Sequence, residues 1–177
     1  MRSAIAPLLL MVAACAAPRV TALPPCASAG EQRMQSADER LSICLPPDFA
    51  AAGTSGHAWA RGTATDSGYV FVTAAVLDST ELQSLDGWPP RLSAEAHGVV
   101  HELVCESIDR TSLPSGSDSI VVESGICTGG VAGWRRQPVA LGGWRAGQSS
   151  YVFYQAFAYR SEDRPLLVAT PASIIVR

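Results

Sequence analysis

The chain contains no lysine: all 13 of its basic residues are arginines, scattered singly except for Arg135-Arg136, and 16 acidic residues outnumber them. With no basic cluster it lacks the phosphate-binding footprint of a nucleic-acid protein, and no nucleic-acid partner is expected. A membrane-spanning helix needs about 20 consecutive apolar residues. The apolar run Ala4 to Ala14 is too short for that, and Pro18 and Arg19 soon follow it. None of the five cysteines stands in a C-x-x-C pair, which removes the usual zinc and dithiol-redox patterns. Catalytic signatures are missing as well. Gly129-Gly130-Val131-Ala132-Gly133 has no Lys-Ser/Thr after it, so it is no phosphate loop. Gly53-Thr54-Ser55-Gly56-His57 puts His57 where a nucleophile elbow needs its last glycine. His97 and His101 are four apart, but on a helical wheel they oppose Leu92, Ala96, Val99 and Leu103, and Gly98 breaks any H-E-x-x-H pattern. No metal, cofactor or catalytic residue is therefore assigned, and the expectation is a protein that is not an enzyme.

What is present begins at the N-terminus. Arg2 precedes the apolar stretch, small residues close it, and the run Leu10-Met11-Val12-Ala13-Ala14-Cys15 ends it. That run resembles the lipobox of bacterial lipoprotein precursors. The resemblance implies that residues 1–14 are a signal peptide removed by cleavage before Cys15. It also implies that the Cys15 thiol carries a diacylglyceryl group and that the new amino terminus is acylated, with chains such as palmitate. Two or more chains anchor stably where one does not. Ala16 stands where an aspartate would imply inner-membrane retention. The expected location is thus the bacterial envelope, anchored in the outer membrane and facing the periplasm.

Removing Arg2 with the signal leaves 12 basic against 16 acidic residues, a net charge of about −4. Residues 15–38, with Pro18, Pro24 and Pro25 and few large apolar groups, read as the lipid anchor and a tether. Residues 39–177 are of a size for one globular domain. Setting Cys15 aside leaves Cys26, Cys44, Cys105 and Cys127, an even number in a compartment that permits disulfides. Three pairings are possible; sequence neighbours close the shorter loops, which favours Cys26 with Cys44 and Cys105 with Cys127.

Strand patterns occupy Leu41 to Leu45, His57 to Ala64, and Tyr69 to Leu77. Asp78 with Glu81 three positions on marks a helix start, and a second helix is expected from Arg91 to Val104. Strands then follow at Ser119 to Glu123, Val131 to Leu141 with a break, Tyr151 to Arg160, Leu166 to Ala169, and Ile174 to Val176, with a turn at Gly142-Gly143. This order predicts an α+β fold, an antiparallel β-sheet packed with one or two helices and bridged by disulfides. Leu41 to Phe49, a strand running into Pro46-Pro47-Asp48-Phe49, resembles the opening of Mog1/PsbP-type domains, which implies the same α+β class.

One local echo remains, Gly133-Trp134-Arg135 and Gly143-Trp144-Arg145. Paired as a hairpin, these segments would put Trp134 and Trp144 on one surface with Arg135, Arg136 and Arg145. Trp and Arg dominate interface energetics, so this region is the candidate partner surface. The function expected is a membrane-anchored, non-catalytic protein-binding module, inhibitor- or immunity-like, with an envelope protein as partner. An envelope small-ligand or glycan-binding protein, or a hydrolase, is the alternative.

Overall fold

The structure, a computed structural model, describes residues 23–83, 88–92, 103–115, 118–129 and 134–177. The signal peptide, Cys15, His97 and His101 lie outside the described residues. So does most of the helix expected from Arg91 to Val104.

Among the described residues, ten strands are all joined antiparallel. They are β1 (Gln32–Gln35), β2 (Leu41–Leu45), β3 (Phe49–Ala51), β4 (Ala58–Arg61), β5 (Val70–Leu77), β6 (Leu103–Ser115), β7 (Asp118–Gly129), β8 (Trp134–Arg145), β9 (Tyr151–Ala158) and β10 (Ile175–Val176). The short helices α1 (Ser79–Gln83) and α2 (Arg164–Ala169) accompany them. The main sheet runs β3-β4-β5-β9-β8-β7-β6, and a small sheet runs β1-β2-β10. This is the α+β class with an antiparallel sheet, and both favoured disulfides, Cys26–Cys44 and Cys105–Cys127, are present.

Strict alternation in β5 and β9 gives the main sheet two faces. Val70, Val72, Ala74 and Val76 pair with Ala158, Ala156, Tyr154 and Val152, and all eight are buried on the inner face. Ala140 and Trp144 of β8 and Val122 of β7 extend that face. Over it lie β2, buried along its whole length, and α2, which buries Leu167. The Tyr154 hydroxyl donates to the Leu167 carbonyl at 2.7 Å, so the one polar atom of this buried ring is satisfied by the helix it packs against. At α1, Asp78 accepts the Thr80 and Glu81 amides at 2.8 Å while Glu81 accepts the Asp78 amide at 2.8 Å, the reciprocal cap that the spacing predicts.

The outer face carries Phe71, Thr73 and Ala75 of β5, Phe153, Gln155 and Phe157 of β9, and Val139, Leu141 and Gly143 of β8. Residues 88–92 clamp one half of it. The Trp88 ring meets Tyr151 edge-on at 5.8 Å, and the Leu92 amide donates to the Glu123 carboxylate at 2.8 Å. A methyl group on Gly143 would come within 2.5 Å of Pro90 and 2.8 Å of Trp88, so only glycine lets this segment lie flat.

Several expectations are corrected. Strand β8 passes through Pro138 and Gly142-Gly143 without a turn: Pro138 pairs with Ile126 of β7, Gly143 with Phe153 of β9, and Gly142 with both neighbours, Val122 and Tyr154. The hairpin that was to join the two tryptophans therefore does not form. The apolar run Leu166 to Ala169 is helical and not a strand. Pro165 occupies the first turn of α2, where its missing N–H costs no hydrogen bond, and so short a run has no period to separate helix from strand. Leu103 and Val104, expected to end a helix, instead open β6. Strand β7 continues to Gly129, and β1 lies inside the stretch expected to be tether.

Candidate binding surface

The five residues of the expected partner surface are spread along one strand. Trp134 pairs with Gly129 at one end of β8, and Trp144 pairs with Val152 near the other. Ten residues at about 3.3 Å each put them roughly 33 Å apart. Trp144 is only 8% exposed and belongs to the inner core. Arg145 donates to the Gln148 carbonyl and so holds the β8–β9 turn, while Arg136 spans β7 to reach Glu106 of β6 at 2.7 Å. The side chains of Trp134 and Arg135 lie outside the described residues.

A different surface is assembled on the outer face. Tyr69, just before β5, and Phe71 within it meet Phe157 and Tyr159 from β9 and its end. Phe71 and Phe157 stack at 5.3 Å with 25° between planes, and Phe157 and Tyr159 at 6.5 Å with 28°. Tyr69 stands across both at 5.8 and 5.4 Å. Rings at such centroid distances and offsets gain beyond their buried area. The register Phe71 opposite Phe157 makes the central pair, and the Tyr159 amide donating to the Tyr69 carbonyl at 3.0 Å continues it past the strand ends. Tyr159 is 39% exposed, one of the most exposed large apolar side chains described, with its hydroxyl fixed on the Ala64 carbonyl at 2.9 Å. Burial, with the neighbouring Tyr159 phenol, holds the Tyr69 phenol above its ordinary pKa. Arg160 borders the cluster, donating to Ser67 at 3.3 Å and pairing with Glu162 at 3.2 Å.

His57 does not assemble a catalytic set. Its Nε2 lies 3.8 Å from the Asp38 carboxylate, but Ser55 Oγ accepts from the His57 backbone amide at 3.5 Å and does not face the ring. The buried Ser36 hydroxyl lies 2.6 Å from Asp38 and 3.1 Å from the Leu41 carbonyl, which leaves it no role as a nucleophile for His57. This cluster closes the β1–β2 turn on the loop before β4. Glu31 lies within 4.8 Å of the Cys26 and Cys44 sulfurs, yet the two sulfurs are bonded to each other and offer no thiolate to a metal.

No protein-family model and no curated protein sequence matches this chain. Among solved structures it is similar to the cyanobacterial PsbP protein CyanoP of Synechocystis sp. PCC 6803, with a TM-score of 0.44 and 9% identity over 89% of this chain and 99% of that one. It is also similar to a crystal structure from Bacteroides thetaiotaomicron VPI-5482, with a TM-score of 0.37 and 10% identity over 84% of this chain and 49% of that one. Both likenesses fall below a TM-score of 0.5 and bear on neither the family nor the function of this chain. No helix among the described residues is long and apolar enough to cross a membrane.

The aromatic surface did have a sequence signal. Tyr151, Phe153, Phe157 and Tyr159 all fall on odd positions, as do Tyr69 and Phe71, which puts them on one face at strand period, while Tyr154 points to the other.

Proposed function

We propose that this chain is a lipid-anchored protein of the bacterial envelope, held through Cys15 in the outer membrane, and that it is a non-catalytic protein-binding module of the inhibitor or immunity kind. Its contact surface is the aromatic cluster Tyr69, Phe71, Phe157 and Tyr159 with Arg160 at the rim, replacing the Trp134 to Arg145 region. The observation that carries this reading is the half-exposed stack on an otherwise uncharged part of the outer face. Aromatic anchors with an arginine beside them are the composition of interface hot spots. The ring geometry favours protein over glycan, because stacked rings turn their faces to one another and leave edges for a ligand, whereas a sugar needs an open ring face.

Cross-linking in the native envelope tests it. Tyr159→Ala with Phe71→Ala is expected to weaken capture of the partner at least about tenfold, equivalent to roughly 1.4 kcal/mol. Arg110→Ala, exposed on the far rim strand β6, leaves capture unchanged. Partner capture that survives the aromatic pair of substitutions rules the surface out, and capture of a wall glycan instead selects the second reading. Anchoring is tested separately: Cys15→Ser should move the protein from the membrane to the soluble fraction.

A further inference from the structure

A groove of about 340 Å³ lies away from the aromatic face, where the chain enters the folded domain. Pro24 and Pro25 of the entering chain form one wall, and Leu166, Ala169 and Ile175 form the other. Two charged residues share it, Arg33 and Glu31. Arg33 is fixed by three hydrogen bonds: Nε donates to the Pro24 carbonyl at 2.9 Å, and Nη1 donates to Ser42 Oγ at 3.3 Å and the Ser173 carbonyl at 3.2 Å. Among the described residues, none of those bonds uses the Nη2 donors. The Glu31 carboxylate forms no ion pair among the described residues, Arg33 included, although both line the same groove. The Cys26–Cys44 bridge holds the Pro24-Pro25 wall in place.

We propose that this groove binds the headgroup of one phosphatidylethanolamine-type phospholipid from the leaflet in which the chain is anchored. A fixed guanidinium suits the phosphate, which accepts charge-assisted hydrogen bonds from it. The carboxylate suits the primary ammonium, and the proline, leucine and isoleucine walls suit the first methylenes of the acyl chains. A membrane lipid is the occupant because of reach: the eight residue-to-residue steps from Cys15 to Leu23 span at most about 29 Å even when fully extended. This last step rests on the lipid-anchor reading.

The test uses the complete mature chain with Cys15→Ser, which carries no acyl group of its own. It is sedimented with vesicles of phosphatidylcholine alone, with added phosphatidylethanolamine, or with added phosphatidylglycerol. Binding is expected to rise several-fold with phosphatidylethanolamine. Glu31→Gln should return it to the phosphatidylcholine level, since a quaternary ammonium cannot hydrogen-bond to the carboxylate. Ala169→Trp, at an exposed wall position, should block the groove while both charges remain, and a thermal melt confirms that each variant is folded. Equal binding to all three vesicles overturns the proposal, as does a phosphatidylglycerol preference that Glu31→Gln leaves intact. Lipidation is read independently from the mass of the N-terminal peptide of the wild-type protein, so failure of the anchor and failure of the groove are separate results.

Discussion

Asp38 shows how one carboxylate ties the small sheet to the large one. Burial opposes its ionisation, but the Ser36 hydroxyl, the Arg40 amide and the charges of His57 and Arg40 outweigh that and hold its pKa below the ordinary 3.8. A folded-state pKa below the unfolded one stabilises the fold above the ordinary carboxylate range, and that stabilisation is lost as pH falls through the depressed value. Because the side chain is about a third exposed, water screens part of the effect. Asp38→Asn should therefore lower Tm near neutral pH and cease to matter once the pH has fallen through that depressed value, which paired thermal melts across pH would show. A flat difference between the two proteins across that range would assign the loss to packing instead. Nothing in the sequence marks this contact, since Asp38 and His57 are 19 positions apart and meet only because a turn docks on a loop.

That docking is a property of two elements. The Ala37 amide donates to the Gly56 carbonyl at 3.0 Å, and Gly56 has φ of 68°. A methyl group there would stand 2.1 Å from the Ala37 Cβ. Gly56→Ala is thus expected to destabilise by about 2–4 kcal/mol, combining left-handed backbone strain with a displaced turn. Gly53→Ala, at a similar φ of 72° but with nothing within 4 Å, should cost only the backbone part, and denaturant unfolding of both variants separates the two. Arg164 does comparable work at the other end: it reaches the Ser107 carbonyl at 3.0 Å, Asp109 at 2.7 Å and the Ser124 carbonyl at 2.9 Å, bracing the bulge in β6. The central strands β2, β5 and β9 were legible, because alternation or continuous apolarity over five to eight residues leaves little choice. Strand β8 was not, because Pro138 and Gly142-Gly143 are turn residues by composition, and only pairing with β7 or β9 holds them extended. The Trp-Arg echo was tied to a turn that does not form, and its five residues lie along β8 instead.

Across the whole molecule the two disulfides act on different parts. Cys105–Cys127 joins directly paired residues of β6 and β7, and Cys26–Cys44 fastens the entering chain to β2. They enclose similar loops, with separations of 22 and 18 residues. Replacing either pair by alanine is expected to cost about 3 kcal/mol, roughly 10 °C in Tm, when melts are compared under oxidising conditions. Only loss of Cys26–Cys44 should also expose residues 23–31 to protease, and equal protection in the two double variants would show that other contacts hold this segment.

The unequal rims of the main sheet have a further consequence. One rim, β6, offers 13 residues and is broken by the kink at Ser107 and by Pro114; the other, β3, has only three. A molecule that meets a neighbour along β6 has no comparable rim left to recruit a third. Rim-to-rim contact therefore ends at two copies, and the protein is spared growth into fibres even when crowded.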